Sequence, residues 1–597
     1  MSVSLTLGQL LPGAVEATPP KVVFPYAPTA VQKRAMQPLF IPTWSIQTLL
    51  PSLPLLFPVD PSVPPSPKTR YRSHYRYLGP EALLDKTYRA TLSDFEIALH
   101  VIDFSPLERV LAQMYVDSRK GQAPFHPVSM FLCVCLRREQ NLSWNALAKL
   151  LAGDNGAGWR TLFGFEQGNT PCASGLRYFF NKVGPEVFDE LCPLFIKLLR
   201  QHGLLPERST YPGDPPDRGI TVTQDGQLHP ARSRPSCQLA TDSCYEPIAQ
   251  NQVSAPITSG RDTTSPTECT DSVRAGDEVQ GKSGRPCRAR EKGLPGCACD
   301  GPECQERCKR ASALDPKARF IHYDGDNKRG NTEGDGGQDK AAKAKGVDIF
   351  GYRSIANRIL DDRFAIAWSA TSSLYSANTD ERTVFLRELI KLRKLFPDLK
   401  IGEWLDDAGI GYEECLNAIW DLGALRMVDI RAHENDKDPE KCLQRGYDGQ
   451  GRPLCPHGYV LHPNGYDNER RRAKYVCRQE CRRKPLREGE EVHAVQGCPY
   501  LEREGSLGYI VNVGRAFADG SVRLAREIPY GSEAWDARYG RRNMSESRNG
   551  QMDGMGLKRM KSYGTERDTK DVQVADFLMD LRTLGRLVRE ATNLAQS

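Results

Sequence analysis

The side chains whose types and spacing could do chemistry begin with Tyr539, Arg542 and Glu546, in the stretch EAWDARYGRRNMSESRNG from Glu533 to Gly550. They stand at positions i, i+3 and i+7, so a helix would put all three on one face. A carboxylate with a cation one turn away is an ion pair in most proteins. The residues alone therefore favour an ion pair, with a reactive site as the second interpretation.

Two other acidic residues, Asp225 and Asp407, could join Glu546 only through folding, because the separations are 407 − 225 = 182 and 546 − 407 = 139 residues. Three carboxylates in one pocket repel one another unless cations neutralise them, so their convergence would imply divalent metal. Hard oxygen ligands suit Mg²⁺ or Mn²⁺. Two such ions about 3.5–4 Å apart can activate an attacking oxygen and stabilise the leaving one in phosphoryl transfer.

The spacing of Tyr539, Arg542 and Glu546 resembles the signature around the third acidic residue in the DDE transposases of bacterial insertion sequences. The resemblance identifies Asp225, in an Asp-Gly context, as the first catalytic and metal-binding residue. It identifies Asp407, in an Asp-Ala-Gly context, as the second, and Glu546 as the third. In relatives the Tyr and Arg contact DNA at the cleavage site, so the same roles are expected of Tyr539 and Arg542.

The resemblance covers roughly Tyr71 to Ser597, outside two cysteine-rich insertions. It implies a ribonuclease H-like mixed α/β sheet preceded by an all-helical N-terminal domain. It also implies the reaction, in which hydrolysis at a transposon end exposes a 3′-OH that then attacks target DNA. The expected partners are double-stranded DNA, both terminal inverted repeats and target, and a second copy of the chain when DNA is bound.

The family signature is not matched throughout. Seven residues after Glu546 the family usually has Lys, whereas this chain has Asp553, with Lys558 and Lys561 further on. This departure supports an alternative function, a catalytically inactive, zinc-stapled DNA-binding or regulatory protein derived from a transposase. A third hypothesis is a metal-dependent nuclease that cleaves DNA without strand transfer.

Alternatives also remain for individual acidic residues. Asp406 precedes Asp407 and would point to the other face of an extended segment. Asp324 and Asp326 compete with Asp225. Their stretch, DPKARFIHYDGDN, resembles the segment between the first two acidic residues of the family, which favours Asp225.

The elements that must position these residues can be read from apolar periodicity. Ile220–Thr223 predicts a strand that ends in a turn at Gln224-Asp225-Gly226, although such a sequence is also a common plain turn. The alternation from Phe364 to Trp368 predicts a strand, and Asp380–Phe396 predicts a helix. A second strand is expected at Leu399–Leu405. This order of strand, helix and strand is typical of α/β sheets.

The predicted helical domain spans residues 71–205. Ser143 is expected to cap one helix that stops at Gly153, and Thr170-Pro171 to begin another that ends at Gly184. The second helix would expose Arg177 and Lys182, which suits a helix-turn-helix that reads the major groove. A helical bundle whose surface carries basic residues is the equal alternative.

The remaining segments complete the predicted domain organisation. Residues 1–70 are Pro-rich and are expected to be a disordered leader, and residues 206–597 would form the catalytic domain with insertions at about 232–311 and 435–500. In the second insertion, Cys455, Cys477, Cys481 and Cys498 could bind a structural zinc ion, with His457 and His462 as alternative ligands. Unligated surface thiols explain the pattern equally well. A helix with the apolar stripe Phe577, Leu581, Leu584 and Val588 is expected to close the fold.

Composition sets the limits of these hypotheses. The chain has 597 residues, 18 cysteines and a net charge of 81 − 75 = +6, which permits nucleic-acid binding without requiring it. The N-terminus lacks the basic region of a secretory signal. The run Ile46–Val59 contains three prolines and is too short to cross a bilayer. We therefore expect a cytoplasmic, nucleoid-associated protein with free or metal-bound thiols and no membrane partner.

Overall fold

The computed structural model describes residues 55–58, 70–115, 122–233, 236–237, 310–312, 314–323, 347–431, 433–482, 498 and 508–595. The leader predicted for residues 1–70 lies outside them, apart from 55–58 and residue 70. So do most of the insertion predicted at 232–311 and the alternative acids Asp324 and Asp326. The described molecule is mixed α/β.

The N-terminal part is helical. After β1 (Leu55–Leu56) come α1 (Lys86–Thr91), α2 (Asp94–Val101), β2 (Ile102–Asp103), α3 (Glu108–Leu111), α4 (Pro127–Glu139), α5 (Trp144–Ala152), α6 (Ala157–Phe163), α7 (Ala173–Lys182), α8 (Pro185–Asp189) and α9 (Leu191–Gln201). Ser93 begins α2 in a capping box with Glu96, and Ser143 caps α5 as predicted. β1 and β2 form a short parallel pair.

Two predictions in this part are wrong. α7 begins at Ala173 after Cys172 and ends before Val183, so Thr170-Pro171 and Gly184 do not bound it. A helix the sequence reading missed, α6, lies between α5 and α7, so these two are not consecutive as a helix-turn-helix requires. Arg177 and Lys182 are nevertheless exposed on α7, as predicted.

The central sheet contains strands of both directions. It is built from β3 (Ile220–Pro230), β6 (Arg319–Tyr323), β7 (Val347–Asp361), β8 (Ile366–Ser376), β9 (Ile401–Asp406) and β10 (Leu425–Val428), while β4 (Ser236–Cys237) and β5 (Arg310–Ala311) form a separate pair. The order is β10-β9-β3-β7-β6, and β8 also pairs with β7. β3 is parallel to β9 but antiparallel to β7, and β10 is parallel to β9.

The Asp-Gly turn predicted after Thr223 is not present. β3 continues through Asp225 and Gly226 to Pro230, because the whole stretch pairs with the long strand β7. Asp225 is therefore an interior strand residue opposite Ala356. A local Asp-Gly signal cannot reveal a pairing that is set by residues more than a hundred positions away.

Helices cover the sheet on both faces. α10 (Glu381–Leu395), which Asp380 caps, lies between β8 and β9 in the chain, and α11 (Glu413–Asp421) lies between β9 and β10. A small subdomain follows, comprising residues 439–482, 498 and 508–525 and containing α12 (Pro439–Arg445) and the antiparallel strands β11 (His462–Asp467), β12 (Arg472–Val476) and β13 (Ile510–Val513). It has its own apolar cluster, which includes Tyr447, Tyr475 and Phe517.

The chain ends with α13 (Glu533–Tyr539), α14 (Asn543–Gly554) and the long helix α15 (Thr565–Ala595). The predicted apolar stripe of α15, Phe577, Leu581, Leu584 and Val588, is buried in the main core. Phe577 meets the rings of Phe131 in α4 and Phe195 in α9. α15 therefore joins the helical part to the sheet through a shared core.

Candidate active site

Strand register brings the first two predicted acidic residues together. β3 and β9 are parallel, with Thr221 opposite Glu403 and Thr223 opposite Leu405. Two residues further along both strands, Asp225 is level with Asp407, which directly follows β9. Because side chains alternate along a strand, Asp225 lies on the same face as Thr221 and Thr223. The hydroxyl of Thr221 donates to Glu403 Oε2 at 2.7 Å, which marks that face on β9 as well.

The third predicted acidic residue comes from the segment that packs on this face. Ser532 caps α13, and a 3-10 turn, Gly540–Arg542, separates α13 from α14. The single helix predicted through Tyr539, Arg542 and Glu546 is thus two helices joined by a tighter turn. All three side chains still line the same cleft.

This cleft has a volume of about 720 Å³ and is lined mainly by polar side chains. Its acidic lining is Asp225, Asp406, Asp407, Asp429, Glu381 and Glu546, and its other polar residues include Gln224, Gln227, Arg353, Tyr539, Arg542 and Asn549. The predicted triad therefore lies in one cleft, not on separate surfaces.

Arg542 connects two of the acidic residues. Its guanidinium donates to Glu546 Oε1 at 2.8 Å and to Asp407 Oδ2 at 3.4 Å. The Asp407 and Glu546 side chains are 53% and 49% exposed. Burial opposes the charge of Arg542, but Asp407 and its other neighbours raise the pKa above its usual value. The ion-pair interpretation of the motif thus describes this state of the site.

Asp225 differs from those two because it is only 5% exposed. Burial raises the pKa of its carboxyl, although Arg548, Arg358 and Arg542 lower it in part. Its Oδ2 atom is buried and has no hydrogen-bond partner among the described residues. A buried carboxylate oxygen without a partner is costly, and a cation would satisfy it.

Asp406 also lines the cleft, but its position on the strand differs from that of Asp407. It is 4% exposed, and burial followed by the nearby charge of Asp407 raises its pKa well above the usual range. The Asp407 backbone N–H donates to Asp406 Oδ1 at 2.8 Å. By strand alternation Asp406 belongs with Trp404, which packs against Phe385 of α10 on the opposite face. Its geometry favours Asp407 as the partner of Asp225.

Several buried arginines hold the helices that carry the site, and sequence reading missed them. Arg541 and Arg538 both pair with the buried Glu403 of β9. Arg548 of α14 pairs with Asp576 of α15 at 2.6 Å. The signal available in the sequence was Glu403 itself, since a charge inside an apolar strand needs a partner.

The donors of the cleft fit a hard divalent cation. Carboxylate oxygens come from Asp225, Asp407 and Glu546. One of them, Oδ2 of Asp225, is buried and has no hydrogen-bond partner among the described residues. Arg542 now neutralises two of the carboxylates. Among the described residues, no group of three or more His, Cys, Asp or Glu side chains is already arranged to hold an ion. A bound ion would therefore share Asp407 and Glu546 with Arg542 or compete with it for them.

The other predicted DNA-binding residues, Arg177 and Lys182, are both described and lie outside the cleft lining. They are exposed on α7, where the Lys182 ammonium lies 6.0 Å from the ring centre of the exposed Tyr178. Asp553 accepts a hydrogen bond from Gln227 at 2.8 Å. Gln227 lines the cleft, so Asp553 lies beside the cleft lining.

The four cysteines of the predicted zinc site line a second, much smaller cavity in the small subdomain. His457 lines it as well. His462 instead pairs with Glu480 at 2.7 Å. The four cysteines are free thiols.

No family model, curated protein or solved structure matches this chain. In the described residues, no helix combines the length and the apolar character needed to cross a membrane.

Proposed function

We propose that this chain is a DDE-type DNA transposase, which binds the ends of its own mobile element and catalyses DNA strand cleavage and strand transfer. The observation that carries the proposal is the meeting of Asp225, Asp407 and Glu546 in one cleft, although 182 and 139 residues separate them in sequence. Tyr539 and Arg542 line the same cleft, as the resemblance implies.

The topology of the central sheet supports a ribonuclease H-like core. Three neighbouring antiparallel strands, β3, β7 and β8, are followed in the chain by two parallel strands, β9 and β10, that extend the sheet on the other side of β3. In this arrangement the first acidic residue lies on the central strand and the second follows its parallel neighbour. Helices on both faces complete the mixed layer architecture.

Each cleft residue has a role in the proposed reaction. Asp225, Asp407 and Glu546 would hold Mg²⁺ or Mn²⁺ through carboxylate oxygens. Bound ions would supply activation of the attacking oxygen and stabilisation of the leaving oxygen. Arg542, with its fork of donors, would transfer its hydrogen bonds from the carboxylates to a DNA phosphate. Tyr539 would position the DNA beside it.

The proposed partners follow from this function. Double-stranded DNA, as element ends and as target, would reach the cleft, while Arg177 and Lys182 on α7 would contact phosphates elsewhere. A homodimer would form on DNA to bring two ends together. The protein would act in the cytoplasm, associated with the nucleoid.

The test is an assay of cleavage and strand transfer on labelled duplexes carrying the inverted repeats that flank the gene. With Mg²⁺, the wild-type chain is expected to give cleaved and joined products. Glu546→Gln should abolish both while leaving end binding nearly intact, because it removes one ligand charge and keeps the side-chain shape. The matched control is Glu533→Gln, at an exposed position in the first turn of α13.

Full activity of Glu546→Gln with Mg²⁺ would rule out the assigned role. A wild-type chain that binds the ends without cutting them would favour the inactive regulatory protein, an alternative that Asp553 supports. Cleaved products without joined products would identify a nuclease.

A further inference from the structure

The small subdomain contains a cluster of thiols that the proposed reaction does not use. Cys455 lies before β11, Cys477 follows β12, Cys481 lies in the 3-10 turn Glu480–Arg482, and Cys498 is a separate described residue. All four line one cavity. We propose that these four cysteines bind one Zn²⁺ ion that stabilises the small subdomain.

The backbone around Cys477 is shaped to stabilise a thiolate. The N–H of Gln479, two residues after Cys477, donates to the Cys477 sulfur at 3.3 Å. Gln479 adopts a left-handed conformation with a φ of 56°, and this conformation belongs to the tight turn after Cys477. Hydrogen bonds to metal-bound sulfur are a usual part of the surroundings of such sites.

The chain closes tightly over Cys477. Its N–H donates to the carbonyl of Tyr509 at 2.8 Å, and Gly508 has a φ of +68°. A Cβ atom at position 508 would lie 3.1 Å from the Cβ of Cys477. Glycine at this position therefore allows the segment beside β13 to approach the cysteine, which helps to enclose the cavity.

The size and lining of the cavity suit a single ion. Its volume is about 20 Å³, little more than one water-sized sphere needs. Four thiols can give the closed tetrahedral set that is typical of structural zinc. His457 lines the cavity as well but is not needed as a fifth ligand, and His462 is paired with Glu480.

Ion binding would change the protonation of the site. Four S–H bonds would break, four Zn–S bonds would form, and four protons would pass to solvent. In the described residues the thiols face the cavity but are not yet arranged as a ligand set. Ion binding would therefore bring the four side chains into a tetrahedral set, while the backbone N–H of Gln479 already donates to the Cys477 sulfur.

The stabilising role follows from the modest apolar content of the small subdomain. Its buried apolar cluster is small and comprises Tyr447, Cys455, Leu461, Ala473, Tyr475, Val513, Phe517, Leu524 and Ala525. A small core gives limited stability, and an ion that joins distant segments compensates for it. Zinc would connect the start of β11 to the end of β12.

The first test is metal analysis of the full wild-type chain, expressed with added zinc and purified without chelators. About one zinc ion per chain is expected. Replacement by Co²⁺ should give the visible absorption of a tetrahedral thiolate site. Chelation should release the metal and make the small subdomain more sensitive to protease. A folded wild-type chain without stoichiometric zinc would overturn the proposal.

The second test assigns the ligands. The double variant Cys477→Ser/Cys481→Ser should lose the zinc and the cobalt absorption. Cys172→Ser, at an exposed cysteine outside the small subdomain, and His457→Ala should both retain them. Retention of full zinc by the double variant would overturn the assignment, as would its loss in Cys172→Ser. Because the readout is metal content, the result is independent of transposition.

Discussion

Two buried acidic residues, Glu403 of β9 and Asp225 of β3, differ in whether other side chains pair with them. Glu403 of β9 is fully buried, accepts a hydrogen bond from Thr221 and pairs with Arg538 and Arg541. Asp225, further along the same face of the sheet, is nearly as buried but has an oxygen with no partner in the described chain. A paired buried charge contributes to the stability of the fold, whereas an unpaired buried carboxylate indicates a candidate site for a cation.

The largest effect on activity is expected from a substitution of Asp225, whose Oδ2 atom has no hydrogen-bond partner among the described residues. If the proposed function holds, Asp225→Asn should reduce strand cleavage below detection, because it removes a carboxylate charge that would bind metal in the cleft. The same substitution should stabilise the apo protein at neutral pH, since burial raises the pKa of Asp225 and so disfavours its charged form. Activity and urea unfolding of the same preparation measure both effects.

The pH dependence of stability sharpens this prediction. With a raised pKa, folded Asp225 holds its proton more tightly than it does in the unfolded chain, where the pKa is about 3.9. Its favourable contribution is present below the unfolded pKa and is lost as the pH rises through the folded pKa. The Asn variant should lack that loss. A steeper loss of stability with rising pH in the variant would contradict the assignment.

A substitution of Glu403, the paired carboxylate, should instead destabilise the folded chain. Glu403→Gln removes one of the two buried counter-charges of each arginine, because Arg538 keeps Asp214 and Arg541 keeps Asp362, so the free energy of unfolding should fall by about 1–3 kcal/mol. Activity should fall only as far as the α13–α14 segment is displaced. Urea unfolding gives the measurement.

A matched control for this second variant is Glu414→Gln, which removes a surface partner of Arg382. It should leave stability nearly unchanged, because exposed ion pairs contribute little. Equal effects of the two substitutions would mean that burial does not distinguish the acidic groups, and the comparison between them would fail.

Local sequence signals predicted much of this sheet. The strand before Asp407, helix α10 and the apolar stripe of α15 follow from periodicity and capping, which depend on neighbouring residues. Asp407 was distinguished from Asp406 only by a resemblance, and strand alternation now gives a physical reason. The meeting of Asp225, Asp407 and Glu546 in one cleft agrees with that resemblance.

What the sequence did not reveal depends on long-range pairing. Asp225 was expected in a turn because Asp-Gly is a local turn signal, whereas pairing with β7 keeps it inside β3. One partner of Glu403 is Arg541, 138 residues away, and no periodicity connects the two. Helix α6, which is only seven residues long, was also missed.

The smallest effect on stability is expected from a substitution of Arg542. Its partners, Asp407 and Glu546, are carboxylates that are about half exposed. Arg542→Ala should change the free energy of unfolding by no more than about 1 kcal/mol, as is usual for surface ion pairs. It should free Asp407 and Glu546, so the thermal stabilisation by Mn²⁺ should be retained or increased.

Binding to element ends should nevertheless weaken, by about 1.5–3 kcal/mol if the guanidinium donates to a phosphate. Arg542→Lys is the matched control. It keeps the charge but cannot form the fork that now reaches both carboxylates, so end binding should be restored only in part. Unchanged end affinity in Arg542→Ala would make this arginine a partner of the fold, like Arg541. Weaker Mn²⁺ binding would show that Arg542 supports the cation site instead of competing with the ion for its ligands.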